Sequence, residues 1–235
     1  MVVRLKDVCT AASLLAAVFA VILGFERRIP LASFLVLIAW GFDALDGLVA
    51  RLTRSQNAFG VEFDDLVDHV AYTVAPAFIL YAAFEPRAAL AGLAGCFATI
   101  LLGTVRLALS RVAPRQYPGY WIGLPRPATG FLIVFLLNSR LFAFDQILWP
   151  TVLLVAGLGL LGLTALPYRN HKVALTWPER VLLGLAIGSS LAAHFAGWMW
   201  DVALGWGLLY LVSPWILVSG RTRTTIAAAL GRRDA

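Results

Sequence analysis

The chain has 235 residues, of which 60% are hydrophobic and only 14% charged, with a formal net charge of +6. A mean hydropathy of +0.82 excludes an ordinary soluble globular domain, which is about half apolar and about a quarter charged. The cationic excess does not mark a nucleic-acid binder, because the basic residues are scattered between apolar runs, a pattern suited to lipid headgroups and topology. The composition predicts an all-α integral membrane protein, with residues 1–235 forming a single domain.

A spanning helix needs roughly 20 mostly apolar residues. Eight stretches qualify, at about 8–24, 30–51, 62–84, 87–109, 127–144, 147–166, 179–198 and 202–219. No small-residue cleavage site follows the first, so it is read as a span and not as a signal peptide. The second opens at Pro30, where a helix tolerates proline, and the fourth starts after Glu85-Pro86. The connectors 110–126 and 167–178 are rich in proline and aromatics and are read as structured interfacial loops. No strand pattern is visible. Trp121, Trp177, Trp198 and Trp200 sit at span ends and read as interfacial anchors. Cys9 and Cys96 lie in apolar segments and read as packing residues.

Charge sets the orientation. With a cytoplasmic N-terminus, 15 of the 19 basic residues fall in cytoplasmic segments, and only Arg27, Arg28, Arg87 and Arg140 lie opposite. Cytoplasmic loops are enriched in Lys and Arg, so both termini are expected on the cytoplasmic side.

The acidic residues are concentrated. DALDGLVARLTRSQNAFGVEFDDLVD, residues 43–68, holds six of the 13 acids in the chain. Asp43 and Asp46 are three apart and share a helical face with Gly47 and Ala50. On the following helix Gly60, Asp64 and Asp68 recur every four residues. Two consecutive antiparallel helices thus each present two carboxylates beside a gap. Carboxylates crowded away from water repel one another and persist when cations neutralise them. Their oxygens are hard ligands, suited to Mg²⁺, Mn²⁺ or Ca²⁺. A bound diphosphate would use both features, the metals and the space left by small residues. A lone intramembrane Asp can instead pair with an Arg to hold helices together. A cation or proton pathway through the bundle is a further reading of such acids, though it calls for acids spread through the membrane depth.

Asp43-x-x-Asp46-Gly47-x-x-Ala50-Arg51, then eight residues, then Gly60-x-x-x-Asp64-x-x-x-Asp68, resembles the full signature of the CDP-alcohol phosphotransferases. VEFDDLVDHVAYTVAPAF, GLPRPATG at 123–130 and PYRNHK at 167–172 are similar to the phosphatidylserine synthase branch. The chain departs from that branch at Asp65, where Ser is usual, at Leu48, where Arg is common, and at RLALSR (106–111), which lacks an R-F-N ending. The resemblance implies a six-helix catalytic core around a polar cavity near the cytoplasmic face, within a bundle of about eight transmembrane helices. It implies transfer of a phosphatidyl group from CDP-diacylglycerol to the hydroxyl of L-serine, releasing CMP. The same chemistry with glycerol phosphate or an inositol phosphate as acceptor is the nearest alternative. A non-enzymatic cation-translocating bundle is the alternative of another class.

By the same resemblance, Asp43, Asp46 and Asp64 are metal ligands for two divalent ions, with Asp68 contributing to one site and acting as general base. Gly47, Ala50 and Gly60 are expected to line the nucleotide pocket. Arg51 is expected either to reach a phosphate or to pair with Glu62. Arg106 and Arg126 are the candidates for holding the acceptor, since one Arg can take the carboxylate of serine by paired hydrogen bonds. Arg111 and Arg115 read as topological charges, and His69, about 100° round the helix from Asp68, as a packing residue. Membrane lipids are the expected surroundings, and a homodimer is the family's habit.

Overall fold

A computed structural model describes residues 4–53, 58–140, 148–170 and 176–231. Helix α1 (Leu5–Phe25) and helix α2 (Ile29–Thr53) form an antiparallel hairpin. The facing surfaces carry small residues: Ser13, Ala16, Ala17 and Ala20 on α1, and Ala32, Ser33, Val36 and Ala39 on α2, all buried. Small side chains let two backbones approach closely, and Ser13 Oγ reaches the Ala39 carbonyl at 3.0 Å. The turn closes with Arg28 N–H on Leu23 O and Arg27 N–H on Gly24 O, the Schellman pattern. Its left-handed position is held by Arg27 (φ 64°), whose guanidinium binds Ala82 O and Glu85 across the bundle.

The next segment, Ala58 to Val112, is a helical hairpin that reverses near Ala88. It comprises α3 (Ala58–His69), a π-turn (Val70–Val74) and α4 (Ala75–Val112). The two spans expected at 62–84 and 87–109 are both present, as antiparallel arms: Gly92 packs on Tyr81 and Phe84, Gly95 on Leu80 and Gly103 on Thr73. Pro86 removes a backbone donor and crowds the preceding turn, and at Ala88 (φ −155°, ψ 77°) the backbone leaves the helical conformation and the chain doubles back. Helix α5 (Arg126–Asn138) starts at a proline-rich cap and ends against α2, where Asn138 donates to Ser33 Oγ at 2.8 Å. The remainder of the expected 127–144 span includes residues outside those described. Helices α6 (Leu148–Leu163), α7 (Trp177–Phe195) and α8 (Met199–Ile216) follow. Gly197 (φ 72°) supplies the Schellman corner between α7 and α8.

Two features depart from the sequence expectation. The connectors 110–126 and 167–178, expected to be strand-free, contribute a small antiparallel sheet: β1 (Gln116–Tyr117), β2 (Tyr120–Ile122) and β3 (Pro167–Arg169), in that order. Runs of two or three residues are too short for alternation to reveal, and the pairing of β2 with β3 is non-local. A further helix, α9 (Gly220–Gly231), bends 82° from α8 and seats Ile226 and Leu230 against Ile122 of the sheet. Its basic start and alanine-rich body carry no long apolar signal.

Among the described residues, three segments are long and apolar enough to cross a membrane: Leu5–Phe25, Ile29–Thr53 and Ala58–Val112, the last made of two arms that fold back on each other at Ala88. The bent pair α8–α9 makes a fourth if counted as one span. Helices α5 and α6 are apolar but shorter, and α7 buries none of its residues. The protein is a mostly helical membrane protein, and side chains such as Leu15, Phe19, Leu90 and Phe97, exposed on these segments, make a lipid-facing surface. Its main core joins α1, α2, α4, α5, α6 and Ala71 and Tyr72 of the π-turn. Cys9 and Cys96 are free thiols, in line with their packing role.

Candidate active site

The buried stripe of α2 continues past Ala39 into the site. Val36, Ala39, Asp43 and Asp46 follow steps of three and four, so one face changes from small apolar residues to two carboxylates within two turns. On α3 the same arithmetic stacks Gly60, Asp64 and Asp68. Packed beside the π-turn, these faces meet. Carboxylate oxygens of Asp43, Asp64 and Asp68 all lie within 4.8 Å of one another, with Asp43 and Asp68 buried. Asp46 stands apart from this trio. Its Oδ2 accepts the Thr10 hydroxyl of α1 at 2.7 Å, and it faces a cleft of about 200 Å³ shared with Asp64.

That cleft is lined by Lys6, Thr10, Asp46, Gly47, Ala50, Arg51, Gly60, Val61 and Asp64. The three small residues expected to admit a nucleotide thus border one space with two of the acids. Arg51 lies along Gly47, its Nη1 3.6 Å from where a Cβ would stand. The expected alternative pairing of Arg51 with Glu62 is not present: Glu62 points to Arg111 of α4.

Four residues beyond the expected set belong to this region. Lys6 and Thr10 enter from α1, where Lys6, Thr10 and Ser13 form a polar line at spacings of four and three on an otherwise apolar helix. That line was readable from the sequence. Tyr72 is four residues after Asp68, and its hydroxyl donates to Asp43 Oδ2 at 3.4 Å while the ring is 1% exposed. Its spacing was also a usable signal. Asp65, next to the acidic trio in sequence, turns about 100° away and pairs with Arg111 (2.7 Å) and Arg126 (2.8 Å). Nothing local in the sequence indicates that pairing, because its partners lie on α4 and α5.

The two acceptor candidates come together. Arg106 and Arg126 line one narrow cavity of about 20 Å³ with Tyr72, Thr73 and Thr129, room for about one water-sized group. Arg106 donates to the carbonyls of Gly162 and Ile122, so it caps the last turn of α6 and pins β2, and among the described residues no carboxylate pairs with it. Its place depends on two glycines, since a Cβ on Gly123 would lie 2.7 Å from its Nη1 and one on Gly162 3.3 Å. Arg126 Nη2 is 3.7 Å from Asp68 Oδ2 and so stands between this cavity and the acidic trio. Arg115 points instead to Leu163 O. His69 makes a 3.3 Å contact with Thr104, in keeping with packing. Below the cavity Tyr168 donates to Leu211 O at 3.3 Å; burial pushes its phenol up to about 12, so it remains a hydroxyl donor at neutral pH.

The donor set fits divalent metal. It consists of carboxylate oxygens alone, within 4.8 Å of one another, where a cation placed among them relieves their mutual repulsion. With small-residue gaps beside it, the arrangement can grip a diphosphate.

Residues 4–163 match the family model described as CDP-alcohol phosphatidyltransferase. The chain belongs to the CDP-alcohol phosphatidyltransferase family. A CDP-alcohol phosphatidyltransferase is an enzyme, and this decides against a non-enzymatic cation-translocating bundle. Among similar proteins is a CDP-diacylglycerol--serine O-phosphatidyltransferase of Helicobacter pylori strain J99, 29% identical over 213 residues, covering 89% of this chain and 90% of the relative. Proteins of the same description from Methanocaldococcus jannaschii (35% identical; 57% of this chain, 60% of the relative) and Saccharomyces cerevisiae (34% identical; 47% and 42%) match shorter stretches. The family match covers every acidic and small residue of the site; α7, α8 and α9 lie beyond it.

Proposed function

We propose that the protein transfers the phosphatidyl group of CDP-diacylglycerol to the hydroxyl of L-serine, giving phosphatidylserine and CMP. The observation that carries this reading is the meeting of Asp43, Asp64 and Asp68 within 4.8 Å, beside a cleft edged by Gly47, Ala50 and Gly60. The relatives named for the serine reaction support the acceptor, one of them along nearly the whole chain.

Asp43, Asp46, Asp64 and Asp68 would hold two divalent ions, Mg²⁺ or Mn²⁺ with Ca²⁺ a third candidate, which supply charge neutralisation for the diphosphate and for the departing CMP. The chain's own residues do the rest. Gly47, Ala50 and Gly60 leave room for the nucleotide, and Arg51 with Lys6 places positive charge along the donor cleft. Thr10 fixes the Asp46 carboxylate by its 2.7 Å hydrogen bond. Asp68 takes the proton from the serine hydroxyl as that oxygen bonds to the lipid-side phosphorus and the bond to CMP breaks. Arg126, with Arg106 behind it, receives the serine carboxylate. The whole chain acts as one domain, with a six-helix core carrying the site, both termini and the site on the cytoplasmic side, lipids around the bundle and a second copy as its partner in a homodimer.

The test is CMP release by purified protein given CDP-diacylglycerol, Mg²⁺ or Mn²⁺, and a panel of alcohols. Serine-dependent release, abolished by a chelator and restored by metal, is expected. Release only with glycerol phosphate or an inositol phosphate would replace the acceptor and leave the chemistry.

A further inference from the structure

Asp65 of α3 turns from the metal-type cluster toward the acceptor side. Its Oδ1 accepts Arg126 Nη2 at 2.8 Å, and its backbone carbonyl accepts Arg126 Nη1 at 3.2 Å, so one residue takes both arms of the guanidinium fork. Its other oxygen, Oδ2, pairs with Arg111 Nη2 at 2.7 Å. Arg111 is in turn tied to Glu62 one turn earlier on α3. The carboxylate is thus gripped from both sides by cations of α4 and α5 and has little freedom to rotate. Arg126 is only 15% exposed, and its Nη2 already lies 3.7 Å from Asp68. Without Asp65, the nearest acid for that guanidinium is the candidate base itself.

We infer that Asp65 is a positioning residue for the acceptor: by holding Arg126 at the wall it shares with Arg106, it keeps the guanidinium presented to the acceptor carboxylate and away from Asp68. The inference rests on the acceptor reading given above and adds a residue to it. Its signature is selective. Most of the donor cleft (Lys6, Thr10, Asp46, Gly47, Ala50 and Arg51) lies on α1 and α2, whereas the Asp65 side chain pairs with Arg111 of α4 and Arg126 of α5, so loss of Asp65 should move acceptor recognition and not donor recognition.

The experiment measures CMP release by wild type, Asp65→Asn, Asp65→Glu, Arg126→Gln and the Asp65→Asn/Arg126→Gln double variant. Serine is varied at saturating CDP-diacylglycerol, and the donor at saturating serine. For Asp65→Asn, KM for serine is expected to rise about tenfold or more, the scale of a lost charge-assisted hydrogen bond, with KM for the donor within about twofold of wild type. Asp65→Glu restores part of the loss. In the Arg126→Gln background Asp65→Asn adds nothing, because the two act as one unit. An unchanged serine KM, a parallel rise in both KM values, or additive effects in the cycle each overturn the inference. If Asp65→Asn does not fold, Asp65→Glu against Arg126→Gln decides it by the same split. Wild-type release with another alcohol alone sinks the serine reading, and the cycle run on that alcohol's KM then decides the role of Asp65.

Discussion

Asp43 and Asp68 are buried, and each contributes an oxygen to a cluster less than 5 Å across, yet their expected roles differ. Asp43 also receives the Tyr72 hydroxyl at 3.4 Å. Asp68 faces Arg126 and the acceptor cavity. Asp43→Asn is therefore expected to weaken Mn²⁺ and CDP-diacylglycerol binding together, measured by direct titration of both. Asp68→Asn is expected to lower turnover by at least about 100-fold, the low end for loss of a general base, while donor binding stays within a few-fold. Near-normal turnover of Asp68→Asn would remove the base from this position. Both acids and their spacing were legible in the sequence. The position of Asp46, engaged by Thr10, was not, because the partner lies 36 residues earlier on a different helix.

At the scale of elements, the π-turn at Val70–Val74 sits between the last motif Asp and the long helix α4. A π-turn inserts one extra residue into the helical repeat and rotates everything downstream by about 100°. Tyr72 and Thr73 are thereby presented to α5 and to the Arg106 cavity. The contact is close: a Cβ on Gly130 of α5 would lie 2.6 Å from the Tyr72 carbonyl oxygen and 3.1 Å from its Cα. Both are backbone atoms, which have little room to give. Gly130→Ala is expected to destabilise the protein by about 1–3 kcal/mol, as overpacking does, and to lower activity by displacing Tyr72. A detergent-solubilised thermal melt beside a CMP-release assay checks both, and an unchanged melt would show that the π-turn tolerates movement. Periodicity predicts that helices exist here but cannot place a single-residue insertion within one.

Across the whole molecule, the 15-to-4 partition of basic residues makes a global claim about orientation. With Cys9 and Cys96 replaced by Ala, a single Cys at Ser219 is expected to react with an impermeant maleimide from the cytoplasmic side. One at Arg28 is expected to react only from the opposite side. Both positions are exposed between helices. Reversed labelling would put the acidic site on the other face of the membrane. The same scale shows what α9 adds: it folds across the small sheet, and Ile122, whose carbonyl accepts from Arg106, also packs against Ile226.

The sequence by itself determined the membrane class, most helix positions and the two acidic stripes with their gaps, because hydropathy, helical period and local spacing are properties of neighbouring residues. The signature over residues 43–68 was enough to indicate the family. Only the tertiary structure decided which carboxylates share one centre, that Glu62 and Asp65 serve arginines of other helices, that two loops pair as a sheet, and that Arg106 and Arg126 face one cavity. Each of these joins residues from separate elements, and their juxtaposition is set by how small residues let helices approach and how a π-turn and a proline break re-aim them, which no local pattern encodes.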